Sequence, residues 1–333
     1  MPNLPKLRIT RASRARRGAV TARAPERGRP HVEQINSTGL RWINIESPSA
    51  LEQGWLEEHF DFHVLNLEDV LSRNQRPKID EYEDHLFIVL HFPVFDKAVG
   101  RLNAAELDMF VGPDYLVTIP NQPLKPVEYL FERCRSQEEL REQYFGKGSG
   151  YLLYRIVDDS IDYCFPMLRK IGNKLESLEE DIFDGRSEEV VREISNAKQE
   201  IINFRKIIRP QRPVLHDLER TKQRYLAEDL EVYFDDIVDA SERIWDLLEN
   251  YKEVVEALED TNESVISHRV NGVLRVLTSI SVIVLPLTLI ASIWGMNVTV
   301  PGEHSTEAFW VVIGVMAVLL GSMLGYFRHR GWL

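Results

Sequence analysis

The chain has 333 residues, 28% of them charged and 44% hydrophobic, and a formal net charge of −12. Two asymmetries lie under these averages: residues 1–30 hold nine Lys or Arg against one acid, Glu26, leaving −20 on the remainder, and the last sixty residues are almost wholly apolar. This distribution excludes a plain soluble enzyme, a disulfide-stapled secreted module and a mainly disordered chain.

Residues 1–30 are Arg-rich, but no apolar stretch follows them, so they do not read as a secretory signal peptide. Their composition fits a basic, unstructured tail drawn to anionic lipid headgroups, and also an amphipathic targeting segment. Residues 31–149 alternate short β-like runs with helical segments. Leu40–Ile45, Leu86–Phe92, Leu107–Val111 and Tyr115–Ile119 are rich in Val, Ile, Phe and Tyr and end near Pro, Gly or Asn. Ser49 followed by Glu52 predicts a capped helix running through Phe60. The segment reads as a mixed α/β sandwich of the α+β class. Cys134 and Cys164 lie far apart, which supports two ordinary thiols in a reducing compartment rather than a disulfide or zinc framework.

From residue 150 the pattern becomes helical. Tyr151–Phe183 and Ser187–Leu218 are predicted to form an antiparallel pair within 150–228, with Asp184-Gly185 as the turn and Pro210 and Pro213 kinking or interrupting the second helix. Residues 214–271 contain neither Gly nor Pro, and Ile244, Leu248, Tyr251, Val255 and Leu258 recur in steps of three and four. A helical stalk over 229–294 would therefore continue into the first of two apolar runs and measure about 97 Å between Asp229 and Ile293. Those runs, Val276–Trp294 and Phe309–Phe327, are 19 residues each without a charge, long enough to span a bilayer. Arg269 and Arg275 precede the first; Arg328 and Arg330 follow the second, in a short basic tail over 328–333. The connection 295–308 has no Lys or Arg, so both termini are expected in the cytoplasm and the loop outside a multi-pass protein of the cell (inner) membrane.

The first apolar run is more than an anchor. Asn271, Leu274, Thr278, Ser281, Leu285, Thr288 and Ser292 follow helical spacing and share one face. This stripe fits helix–helix packing and pore lining equally well. Two spans cannot enclose a pore, so pore lining requires an oligomer. Other chemistries fit poorly. Gly146-Lys147-Gly148-Ser149-Gly150 lacks the upstream Gly of a phosphate loop, because position 141 is Arg, and reads as an interdomain linker. His59 and His63 stand four apart without a third zinc ligand. Neither an enzyme nor a partnership with nucleotide or nucleic acid is expected. A membrane sensor that conducts nothing would need neither the polar stripe nor a polar outer end to the span.

Asn271 through Asn297, with Leu277-Thr278, Leu285-Pro286-Leu287-Thr288 and the terminal Gly295-Met296-Asn297, resembles the CorA magnesium/cobalt transporters. The likeness extends to Leu67-Glu68-Asp69-Val70-Leu71, Gln75-Arg76-Pro77-Lys78, Phe87-Ile88-Val89-Leu90, Tyr233-Phe234-Asp235-Asp236 and the end at Trp332-Leu333. The resemblance implies a funnel-shaped homopentamer whose first spans line a pore, with Gly295, Met296 and Asn297 as the filter at its outer mouth. A ring of neutral carboxamides can hydrogen-bond the waters of Mg²⁺ without stripping them. Leu274, Leu277 and Leu285 match apolar constrictions that stop ions by dewetting. The resemblance also implies gating by intracellular Mg²⁺ bound between subunits at Glu68, Asp69 and Asp236, with Asp158 and Asp162 as further candidates. Glu303 and Glu307 would raise the local cation concentration. Two departures stand out: Val300-Pro301-Gly302-Glu303 replaces a frequent Met-Pro-Glu, and Trp294 stands where Tyr is common. The resemblance implies uptake of a divalent cation down its electrochemical gradient, Mg²⁺ first, with Co²⁺ or Ni²⁺ as further cargo; relatives with altered loops include a proton-linked zinc branch, which makes Zn²⁺ the alternative.

Overall fold

The computed structural model describes residues 28–72, 75–96, 100–184, 187–220, 230–296 and 305–332. These fall into two compact units. One comprises Ala105–Leu153 with the described residues up to Leu90; the other comprises His91–Ala104 with the described residues from Tyr154 onward.

The first unit is built on a six-stranded sheet in the order β1-β2-β6-β5-β4-β3. Its strands are β1 (Glu33–Ser37), β2 (Leu40–Asn44), β3 (Lys78–Glu81), β4 (Leu86–Asp96), β5 (Arg101–Val111) and β6 (Tyr115–Pro120). β2 and β6 pair in parallel, Asn44 beside Thr118, while β1–β2, β3–β4 and β5–β6 are antiparallel. Helices α1 (Ala50–His59) and α2 (Val64–Leu71) cover one face. There Leu56, Phe62, Leu67 and Val70 pack with Ile43, Phe87, Phe110 and Val117. Residues of opposite parity face the other way, as the two-residue period of a strand requires: Trp42 meets Phe131 of α3 (Lys125–Ser136) edge-on, ring centres 4.9 Å apart. The sheet is thus sandwiched between helices. Ser49 caps α1 in a capping box with Glu52. Beyond α3, α4 (Glu138–Phe145) is joined to α5 (Ser149–Asp162) by a turn in which Gly148 takes φ +90°, a conformation that favours glycine. The predicted linker at Gly146–Gly150 is this turn and the start of α5.

In the second unit, α6 (Cys164–Asp184) and α7 (Ser187–Arg220) pack together and against α8 (Glu231–Trp294), which α9 (Thr306–His329) follows. Sequence periodicity predicts one helix over Tyr151–Phe183, but the chain breaks at Tyr163. Pro166 explains the restart: it sits in the first turn of α6, where its missing N–H costs no helical hydrogen bond. Of the two outcomes expected at Pro210 and Pro213, kinking or interruption, the second does not occur: α7 runs through both. Buried Ile207, Ile208, Val214 and Leu215 hold the segment in place, and buried Gln211 accepts the His91 N–H at 3.2 Å. On α8 the predicted stripe is the packed one, with Ile244, Leu248, Val255 and Leu258 buried and Tyr251 half-buried. Glycine at 172 lets α6 approach closely, because a Cβ there would lie 2.7 Å from the Tyr251 hydroxyl. Across the α7–α8 seam Trp245 lies between the guanidinium groups of Arg205 and Arg212, each 5.0 Å from its ring centre, and these pair with Glu249 and Glu242.

A buried polar knot locks the centre of the sheet. The Thr118 hydroxyl accepts from Trp42 Nε1 at 3.0 Å and donates to Asn44 Oδ1 at 2.8 Å. All three residues are buried. Thr118→Val keeps the shape and strands both partners, so it should lower stability by about 1–3 kcal/mol. Denaturant unfolding of the purified chain, wild type against variant, measures this directly.

Candidate functional site

α8 and α9 are the two helices, among the described residues, long and apolar enough to cross a membrane. In one chain their apolar surfaces are mostly uncovered: Leu277, Leu285 and Leu289 on α8 and Trp310, Val311 and Val318 on α9 are all more than half exposed. So large an exposed apolar area requires lipid or protein to cover it. Ser279 and Ile283 of α8 are buried, with Pro286, Leu287, Ile290 and Trp294 half-buried on the same side. At about 100° per residue this side is opposite the predicted stripe. Asn271, Leu274, Leu277, Thr278, Ser281, Leu285, Thr288 and Ser292 are all exposed. The face bearing the small and polar residues is therefore part of the surface the protomer leaves bare.

Within that face, the Ser281 hydroxyl donates to the Leu277 carbonyl at 2.9 Å and Thr288 to the Val284 carbonyl at 3.0 Å. Such back-bonding satisfies each hydroxyl proton on its own helix. Pro286 has no N–H to offer the carbonyl of Val282. The helix ends at Gly295, whose N–H reaches the Ala291 carbonyl at 2.9 Å and where a Cβ would press on that oxygen at 3.1 Å. Met296 follows, exposed. Asn297 and Glu303 lie outside the described residues; Glu307 is exposed in the first turn of α9, where Ser305 caps the helix.

The acidic candidates occupy two places. In the first unit Asp69 lies half-buried in the last turn of α2, beside exposed Glu68. Neither Asp69 oxygen stands alone: Oδ2 takes Lys78 Nζ at 2.9 Å and Oδ1 takes Gln75 Nε2 at 2.8 Å. Lys78 also donates to Asp80 Oδ2 at 2.6 Å. Burial alone would lower the Lys78 pKa, but the bonds to Asp80 and Asp69 outweigh it and raise the pKa above the ordinary value. Beneath them Asp108 is buried, its Oδ1 without a partner. Burial pushes its pKa well above the carboxylate range; Glu106 and Asp69 add to that, and Lys78 opposes it. Sequence reasoning missed Lys78, Asp80 and Asp108, although Lys78 and Asp80 stand two apart on β3 and so share a face.

In the second unit α5 brings Asp158 into electrostatic reach of Asp162 one turn on and of Asp236 on α8. Asp158 pairs with Arg155 at 2.7 Å, and Arg155 also bonds Asp159. The Asp158 pKa is raised to about 6, first by burial; Arg155 lowers it, while Asp162, Asp159 and Asp236 push it up. Close by, buried Tyr154 packs on Tyr233, ring centres 4.9 Å apart. The paired histidines have local duties. His59 stacks on Trp55 and bonds its carbonyl, and His63 caps α2 by accepting the Leu65 N–H. Among the described residues no three His, Cys, Asp or Glu side chains converge to hold a metal ion.

A helix-covered sheet, a long helix and two helices long and apolar enough to cross a membrane fit a membrane protein with a large extramembrane part. Comparison with known proteins gives the family. The pattern of the CorA-like Mg²⁺ transporter proteins matches residues 37–329. The chain is 32% identical over 304 residues to the cobalt/magnesium transport protein CorA of Thermotoga maritima, covering 90% of this chain and 85% of that one. It is 21% identical to the divalent cation transporter CmaX of Pseudomonas aeruginosa, covering 88% and 87% of the two chains. The complete structure of the CorA magnesium transporter from Methanocaldococcus jannaschii superposes with a TM-score of 0.79 at 23% identity, over 90% of this chain and 93% of that one. The chain belongs to the CorA-like Mg²⁺ transporter family, a family of transporters rather than enzymes.

The Asp158 environment makes a pH prediction. The folded-state pKa of about 6 lies above the ordinary 3.8, so the folded chain binds this proton more tightly than the unfolded one. The resulting stability is complete below pH 3.8 and lost as pH rises through about 6. In metal-free buffer Asp158→Asn should be more stable than wild type at neutral pH, and the gap should close as pH falls through that window. Thermal unfolding across the pH range reads this out.

Proposed function

We propose that the protein is a divalent-cation channel that passes Mg²⁺ down its electrochemical gradient into the cell. The first spans of a homopentamer line the path, and both termini of each chain lie in the cytoplasm. The observation that carries this reading is the bare small-and-polar face of α8, opposite the side it buries and ending at Gly295-Met296-Asn297. Around an axis, five such faces present hydroxyls, carboxamides and leucines alternately. The hydroxyls and Asn271 support water, and Leu274, Leu277 and Leu285 narrow and dry the path. Asn297 holds the hydrated ion at the outer mouth, and Glu303 and Glu307 concentrate cations nearby.

Gating follows from the carboxylates. Asp69 with Glu68, and Asp236 with Asp158 and Asp162, are half-sites that repel one another across subunit boundaries unless a divalent cation lies between them. Carboxylate oxygens suit Mg²⁺, a hard cation that retains several waters, and here they would draw adjacent subunits together. Losing the ion lets the subunits part, with α8 carrying the displacement into the span. The names of the relatives, cobalt/magnesium and divalent cation transporters, support this class of cargo.

Flux into proteoliposomes decides the matter. Mg²⁺ uptake that is lost in Asn297→Ala and indifferent to a pH gradient is the expected result. Uptake of Zn²⁺ alone, accelerated by protons, would make the protein a proton-linked zinc transporter, and no flux of either ion would make it a sensor. For gating, Asp236→Asn should weaken inhibition by internal Mg²⁺; unchanged inhibition would remove Asp236 from the sensing site.

A further inference from the structure

Lys78 is held more specifically than a surface ion pair requires. Its ammonium lies between two carboxylates, 2.9 Å from Asp69 and 2.6 Å from Asp80, and 5.1 Å above the Phe87 ring. All three charged groups line a cleft of about 500 Å³ together with His63, Asn66 and Tyr82. The cleft admits an ion with its water shell. Yet the Asp69 oxygen that faces Lys78 is already occupied, and Gln75 takes the other. A divalent cation approaching Asp69 meets the like charge of the ammonium and binds more tightly once the ammonium leaves. Asp80 is placed to receive it, because the same nitrogen already bonds Asp80, so the exchange strands no charge. Two carboxylates face this one ammonium, so replacing a monovalent by a divalent cation is favoured by the excess of acid over base in this spot.

We propose that Lys78 is an internal competitor for the divalent cation at Asp69, and that Asp80 is its alternative seat. This rests on the reading of Asp69 as a sensing residue. The Lys78–Asp69 pair raises the Mg²⁺ concentration needed to occupy the site, and Asp80 sets by how much, since it shares the ammonium. Sensitivity to internal Mg²⁺ is therefore tuned by residues that never bind the ion.

The test uses the full-length protein and two readouts: the Mg²⁺ midpoint for thermal stabilisation in detergent, and half-inhibition of flux by Mg²⁺ inside proteoliposomes. Lys78→Gln should lower both midpoints about two- to fivefold, the range that loss of a partly exposed ion pair supports. Asp80→Asn should raise them, because the ammonium is then left to Asp69 alone. In the Lys78→Gln background Asp80→Asn should change nothing further, which separates an effect through Lys78 from direct contact with the ion. Midpoints that are unchanged, or that move in the same direction in both single variants, overturn the proposal. If Lys78→Gln does not fold, Asp80→Asn decides alone: a raised midpoint supports competition, and an unchanged or lowered one refutes it. Asp69→Asn distinguishes the two levels. If it leaves the Mg²⁺ response intact, the sensing role of Asp69 fails. If it weakens the response while the Lys78 and Asp80 variants do nothing, only the competition fails.

Discussion

The demand on α8 that the rest of the structure answers is that one continuous helix must serve two surroundings. The helix runs 64 residues, about 96 Å at the usual rise. Through hydrocarbon, each N–H and C=O must find its partner within the helix, because neither lipid nor water supplies one. Outside it water competes for the same groups, and a helix of ordinary composition holds its form mainly by packing an apolar face. That is what α6 and α7 provide. They bury Ile244, Leu248, Val255 and Leu258, and Trp245 is clamped between two arginines that are themselves paired to glutamates. In the membrane-spanning part Pro286 removes one rung, leaving the carbonyl of Val282 without its helical donor.

The acidic residues carry different electrostatic loads despite their shared chemistry. Asp69 is compensated by Lys78 and Gln75 within its own chain. Asp158 is only partly compensated by Arg155, since burial and three other aspartates work against its charge. Asp236 and Glu68 are exposed and depend on water. Added positive charge would therefore find Asp158 the least contented of the four, and Asp69 the one whose existing partner has to be displaced.

The spans, the stalk and the four strongest strands were legible because each follows one period over many residues: 19-residue apolar runs, steps of three and four on α8, and Val- and Phe-rich runs on β2, β4, β5 and β6. The edge strands were not. β1 buries a single apolar side chain, Ile35, and β3 reads Lys-Ile-Asp-Glu, so neither alternates visibly. The prolines of α7 do not end it, because burial of the surrounding isoleucines offsets the hydrogen bonds they remove. In the candidate site, single residues could be placed by motif, but their neighbours came from the fold. Glu106 and Asp108 lie on β5, far along the chain from Asp69, and only the sheet brings them beneath it. Arg155 stands one helical turn from Asp158 and was open to detection by spacing alone.

The back-bonded hydroxyls on the bare face of α8 have a consequence for the sign of any ion that meets them. Ser281 and Thr288 each give their only proton to a carbonyl one turn earlier, so what they turn outward is lone pairs. Water beside them must donate rather than accept. Around a cation, first-shell waters point both hydrogens outward and would find acceptors here; around an anion, each water keeps only one hydrogen free to give. Neutral side chains can thus favour a hydrated cation over an anion by where their own protons go.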